Sequence, residues 1–286
     1  MTLPSAAWLD SMYNNRARVP DHAAYFKRWA QASSMARSAA PCVLDVPYGR
    51  SKGEKLDIFP AADNHAPVLV FIHGGYWRSL DKADHSFVAP SFQASGACVV
   101  IVNYDLCPDV TIPDITVEMV RAMTWIYRNI ARYGGDANRM SAVGHSAGGH
   151  LAAMLLTCNW KSYAADLPSF VVRNALSISG IFDLRPLCRT PFLQSSLQLT
   201  ENDAVRASPA LLPRPLSGLL HAVAGGDESE EFLRQNPLIQ KAWGKKVVPV
   251  SRALPGLNHF SVLDALVDKT HDLHMDALAL LKGSAQ

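Results

Sequence analysis

A chain of 286 residues holds one large domain and not clearly two, and with 49% hydrophobic and 18% charged residues a sizeable core is expected. The net charge of +2, without any run of like charges, excludes a nucleic-acid partner bound through a basic surface. Five scattered cysteines without a C-x-x-C pair, a start (Met1-Thr2-Leu3-Pro4-Ser5) without a charged or apolar leader region, and no apolar run near the ~18 residues of a membrane span lead to the expectation of a cytoplasmic protein with reduced thiols and no membrane partner.

Residues 1–50 contain a predicted helix over 21–39, carrying Tyr25, Phe26 and Trp29, before any strand begins. From residue 55 onward strand-like and helix-like segments alternate. Strands are predicted over 55–59, 68–72, 98–103, 140–143, 175–181, 219–223 and 247–253. Helices are predicted over 117–133, directly after Ser146, over 229–243 and over 261–281. In the first of these, Val117, Val120, Met123, Ile126 and Ile130 recur at helical spacing and are expected to face the core. Such alternation implies an α/β domain with a mostly parallel central sheet and helices on both faces. No repeat, low-complexity tract or linker divides the chain, so a single domain over 1–286 is expected. Residues 183–216, rich in Pro, Leu and Ser, show no clear period; they and the 1–50 extension are expected to cap the strand ends and shape a pocket.

Three segments carry chemistry. Gly144-His145-Ser146-Ala147-Gly148 is a G-x-S-x-G pattern between an apolar strand and a helix, the setting of a nucleophilic serine on a sharp turn. Upstream, the apolar strand over 68–72 runs into His73-Gly74-Gly75-Tyr76-Trp77. A loop of this kind presents backbone N–H groups to a developing oxyanion. The expected donors are the N–H groups of Gly75, Tyr76 and Ala147, with Gly74 making the turn. Downstream a base and an acid are required, because a serine hydroxyl is a weak nucleophile and its imidazole must be held in one tautomer. The order serine, acid, histidine selects Asp227, after the strand over 219–223, and His259, after the strand over 247–253. Asp183 is the main rival acid; Glu228 and Glu230 read as first-turn helix residues. Among the ten histidines, His145 and His150 point the wrong way for a base, His73 orders its loop, and His271 and His274 read as surface residues.

With these motifs the chain resembles the kynurenine formamidase (arylformamidase) branch of the α/β-hydrolase superfamily. The resemblance rests on Tyr13-Asn14-Asn15-Arg16, Leu56-Asp57-Ile58-Phe59-Pro60, the H-G-G-x-W loop at His73–Trp77, the elbow around Ser146, the segment from Asp227 to Gln235, and Asn258-His259-Phe260. Asn258 departs from the acidic residue expected there. The resemblance implies an α/β-hydrolase fold and hydrolysis of N-formyl-L-kynurenine to L-kynurenine and formate, a step of tryptophan degradation. It also implies a Ser146, Asp227, His259 triad that needs no metal or organic cofactor. Tyr76 and Trp77 are expected to stack on an aryl leaving group, with core packing as the other reading of Trp77. A carboxylesterase acting on small acyl esters would use the same triad, and a non-catalytic binding protein of the same fold is the alternative of another class. The expected partner is therefore a small aryl formamide or ester; a homodimer is compatible with the sequence, which does not fix the oligomeric state.

Overall fold

A computed structural model describes residues 4–283. Met1 to Leu3 of the segment read as leaderless, and both extreme ends of the expected 1–286 domain, lie outside the described residues. Among the described residues, eight strands form one sheet in the order β1-β2-β4-β3-β5-β6-β7-β8. They are β1 (Val43–Pro47), β2 (Lys55–Phe59), β3 (Ala66–Ile72), β4 (Cys98–Val102), β5 (Gly135–His145), β6 (Asn174–Ile178), β7 (Leu219–Gly225) and β8 (Val250–Leu254). The β1–β2 and β2–β4 pairs are antiparallel, and every other pair is parallel.

The pleat explains why the central strands read as unbroken apolar runs. Successive side chains point to opposite faces, and helices cover both. Val68, Val70 and Ile72 of β3 and Val100 and Val102 of β4 enter one core, with the helices Ile112–Asn129, Ala147–Leu156 and Glu230–Trp243. Leu69 and Phe71, with Val99 and Ile101, enter the other, packed by Trp29 of His22–Ala39 and by the C-terminal helices. Among the described residues, no helix is long and apolar enough to cross a membrane.

Some elements differ from their sequence reading for identifiable reasons. Strand β1 was not expected: its Val43 and Leu44 are exposed, and Asp45, at φ 56°, interrupts its register on β2, so neither alternation nor burial marks it. The helix predicted over 117–133 begins earlier, at Ile112, behind a Thr111/Asp114 capping box, and Ile115, Met119, Ala122 and Met123 carry the buried face. Val117 is 47% exposed and does not belong to that stripe. The helix predicted over 261–281 is two helices, Val262–Val267 and Asp272–Lys282. Between them Asp268 Oδ1 accepts from the Thr270 backbone N–H and hydroxyl, and His271 Nδ1 caps the second helix by accepting from Leu273 N. His274 is buried rather than on the surface, its ring stacked on Phe92 at 4.5 Å. Residues 183–216 form short helical turns, including the helix Pro191–Leu197.

Candidate active site

Parallel strands of this sheet all end on one edge, and open α/β sheets place their sites outside those carboxyl ends. The loops after β3, β5, β7 and β8 bring the motifs together there. Ile72 of β3 is in register with Gly144 of β5, so the H-G-G loop and the serine turn begin side by side.

Ser146 occupies the turn between β5 and the helix Ala147–Leu156, at φ 55° and ψ −117°. A non-glycine residue in this region is strained, and the surroundings hold it there. Gly148 is obligatory for that turn, because a Cβ would run into the Ile72 carbonyl. The Ser146 side chain faces a cavity of about 260 Å³ that His259 and Tyr76 also line. Among the described residues its Oγ has no hydrogen-bond partner. The His259 contact of a serine nucleophile commonly tightens only with substrate present.

His259 lies in the loop after β8. Its Nδ1 is 2.6 Å from Glu228 Oε2, which leaves Nε2 for the cavity. The ring is wedged edge-on against Phe232, with centroids 4.7 Å apart, and against Phe260 at 5.4 Å. Asn258 organises this loop: its Oδ1 accepts from the N–H groups of Phe260 and Ser261, and its Nδ2 donates to the Tyr25 hydroxyl. His145 ties the loop to the serine turn by donating from Nε2 to the His259 carbonyl at 2.8 Å.

The acid that meets His259 is Glu228, not Asp227. The backbone of Gly226 and Asp227 is clamped by hydrogen bonds to the Leu254 and Leu257 carbonyls. Successive side chains of this turn then point oppositely, leaving Asp227 exposed and Glu228 buried. Glu228 Oε1 accepts from the Gly225 N–H at 2.7 Å and from the Ser179 hydroxyl, so both carboxylate oxygens are engaged. Glu228 is not a first-turn helix residue: the helix starts at Glu230, with Ser229 as its N-cap. Asp183, the rival, is held bidentately by Arg185 away from His259. Two adjacent carboxylates stand at this position in the sequence, and only the turn geometry tells which faces inward.

On the H-G-G loop, Gly75 at φ 108° and Tyr76 at φ 51° line the cavity, and a Cβ on Gly75 would meet the Ser79 carbonyl. Gly74 lies directly against Ser146: a Cβ there would be 3.0 Å from Ser146 Cβ. Ala147 opens the helix behind the serine, where the first N–H groups lack intrahelical acceptors. An oxyanion beside Ser146 can accept from these groups. His73 contacts the Gly74 carbonyl through Nδ1 (2.8 Å) and Asn103 Oδ1 through Nε2 (3.0 Å), which fixes the loop. Tyr76 donates its hydroxyl to the Tyr13 carbonyl. Trp77 makes no part of the cavity wall: it is wholly buried in the core, edge-on to His150 at 5.0 Å. The left-handed φ of 55° at Trp77 accompanies this inward placement and removes the tryptophan as a substrate platform. From the N-terminal extension Phe26 and Trp29 line the cavity, and Phe192 does so from the segment 183–216. Among the described residues no cluster of three His, Cys, Asp or Glu is placed to hold a metal.

Burial around the site has a consequence for stability. It pushes His85 down to about 3 and His150 down to about 4. His145 is likewise held well below the ordinary histidine value, first by burial and then by the neighbouring His259. Such imidazoles are neutral in the folded chain and bind a proton only on unfolding. Their contribution is complete above the unfolded pKa near 6.5 and is lost as pH falls toward the folded values, by ~2–3 kcal/mol each for His85 and His150 at pH 4.5. Calorimetry should therefore show Tm dropping most steeply below pH 6; a Tm unchanged from pH 7 to 4.5 would contradict these neutral buried rings.

The BD-FAE family model matches residues 56–212. Kynurenine formamidase from Salmo salar is 33% identical over 262 residues, covering 87% of this chain and 85% of that protein. Esterase LipC of Mycobacterium tuberculosis is 32% identical over 142 residues, 48% of this chain and 35% of its own length. A Silicibacter sp. tm1040 crystal structure with a provisional thioesterase designation superposes with a TM-score of 0.82 at 30% identity, covering 96% of this chain and 98% of that one.

Proposed function

The chain belongs to the kynurenine formamidase family and is a hydrolase of that family, and on that footing we propose that it cleaves the formamide of N-formyl-L-kynurenine by covalent catalysis at Ser146. The observation that carries this reading is the His259–Glu228 pair, 2.6 Å apart and buried, with the free edge of the imidazole lining the same cavity as Ser146.

Ser146 Oγ attacks the formyl carbon while His259 Nε2 takes its proton, and Glu228 stabilises the imidazolium across Nδ1. The former carbonyl oxygen becomes an oxyanion and accepts from the N–H groups of Gly75, Tyr76 and Ala147, one such donor being worth ~3–4 kcal/mol of barrier. Collapse breaks the C–N bond. His259 gives its proton to the departing aniline nitrogen, and L-kynurenine leaves a formyl ester on Ser146. Water then attacks that ester, losing a proton to His259; formate departs and the serine oxygen recovers the proton. A formyl group needs little room on the acyl side, which suits a cavity walled by Tyr76 and Phe192.

A carboxylesterase acting on small acyl esters would use the same relay, and the partial similarity to Esterase LipC favours that second reading. The deciding assay compares kcat/KM of the purified enzyme on N-formyl-L-kynurenine and on p-nitrophenyl acetate. A preference of about 100-fold or more for the formamide, worth ~2.7 kcal/mol in the transition state, is expected. A preference for the ester assigns the chain to ester hydrolysis.

A further inference from the structure

The cavity in front of Ser146 has a fixed charge that the relay does not use. Arg16, from the short helix Asn15–Arg18, and Arg78, from the loop after Trp77, both line it, and among the described residues no aspartate or glutamate does. Among the described residues neither guanidinium has a carboxylate partner within 4.0 Å, unlike Arg185 on Asp183 or Arg234 on Glu231.

Both arginines are instead steered by neutral groups. Arg78 donates from Nη1 to the Phe192 carbonyl and to Ser196 Oγ, each at 2.9 Å, and its Cζ lies 5.4 Å from the centre of the Phe192 ring. Arg16 donates to Ser79 Oγ at 3.3 Å and lies 5.3 Å from the Phe26 ring centre. Each guanidinium has five N–H donors in a planar fork, so most remain unused. Burial and the like charge of Arg16 both press the Arg78 guanidinium toward its neutral form. Arg16 is solvent-exposed and Arg78 half-buried, and among the described residues no carboxylate lines the cavity with them, so an anion entering it would meet both charges. Beside them Asn15, 5% exposed and also lining the cavity, has an Nδ2 group with no acceptor among the described residues.

We propose that Arg16, Arg78 and Asn15 are specificity-determining residues that together bind a carboxylate on the leaving-group side of the substrate cleaved at Ser146. The inference rests on the Ser146 reading for the place of cleavage, and on the unpaired guanidiniums for the charge. Aromatic walls from Phe26 and Phe192, against which the same arginines lie, would hold the aryl part. The fork geometry suits a carboxylate better than a point cation would.

The test uses a matched pair, N-formyl-L-kynurenine and its methyl ester, which differ in that carboxylate. Wild-type enzyme should favour the acid by about 10-fold or more in kcat/KM, and the Arg16→Met/Arg78→Met double variant should bring the ratio near one, chiefly through KM. Arg78→Lys should retain part of the preference, and thermal melts of each variant confirm that it is folded. A wild-type ratio near one, or a ratio preserved in the double variant, overturns the subsite. If neither formamide turns over, the same two compounds are read as competitive inhibitors of p-nitrophenyl acetate hydrolysis by the same criterion. Failure of the Ser146 reading shows separately, as turnover surviving in Ser146→Ala.

Discussion

Ser146→Ala lowers kcat on N-formyl-L-kynurenine by ~10⁴-fold or more, as loss of the nucleophile does in serine proteases, and leaves thermal stability close to that of the wild type. Both halves follow from the local structure. The hydroxyl faces the cavity and has no hydrogen-bond partner among the described residues, so its removal orphans no buried group. Alanine meets the same backbone constraint as serine at φ 55°, because the strain is set by Cβ and not by the oxygen. A large loss of turnover without a loss of Tm separates chemistry from folding. Activity above a few per cent of wild type would remove Ser146 from the nucleophilic role. A Tm lowered by many degrees would mean that the turn depends on the hydroxyl.

The second large effect distinguishes two neighbouring carboxylates. Glu228→Gln should cost ~10³–10⁴-fold in kcat, by analogy with the wrong-tautomer effect in serine proteases. The reason lies in what holds the carboxylate. Gly225 N–H and the Ser179 hydroxyl both donate to Oε1, so a glutamine keeps its oxygen there and turns its NH₂ toward His259 Nδ1. Nδ1 must then accept, the imidazole proton moves to Nε2, and the ring can no longer take a proton from Ser146. Asp227→Asn alters an exposed side chain that makes no hydrogen bond among the described residues and should leave kcat/KM within about twofold, as for surface substitutions away from special features. The reverse pattern, a damaged Asp227→Asn enzyme and an active Glu228→Gln enzyme, would return the acid to Asp227. Stopped assays of both variants, prepared together and compared by melting temperature, decide the matter.

The difference between Asp227 and Glu228 marks what a linear sequence can and cannot specify here. Apolar runs such as Val68 to Ile72 declare buried parallel strands, because both of their faces meet helices. Glycine spacing around Ser146 declares a turn whose backbone passes too close to β3 for a side chain at Gly148. Such signals are local, and the positions of the serine turn and of the His259 loop were legible for that reason. The inward-facing carboxylate depends instead on how residues 225–228 hydrogen-bond to the loop after β8, a contact about thirty residues away in the chain. Trp77 was ambiguous for a similar reason: three successive residues with positive φ, Gly75, Tyr76 and Trp77, shape the loop in which its ring is buried in the core, away from the cavity. Strand β1 was silent because an exposed edge strand with an irregular register has no buried face to impose alternation. The stripe of the helix Ile112–Asn129 was legible at Val120, Met123, Ile126 and Ile130, which are buried, and failed at Val117, which is apolar by composition and exposed by geometry. The unpaired guanidiniums at Arg16 and Arg78 are sixty-two positions apart in number and visible as a pair only once the N-terminal helices fold over the sheet edge.

Covalent trapping reports on the nucleophile itself. The purified protein is treated with a fluorophosphonate, digested, and mapped by mass spectrometry, alongside Ser146→Ala and Glu228→Gln. One adduct is expected, on the peptide holding Ser146, absent from Ser146→Ala and formed far more slowly in Glu228→Gln. An adduct on a different serine, or a wild-type chain that stays unlabelled, would contradict it.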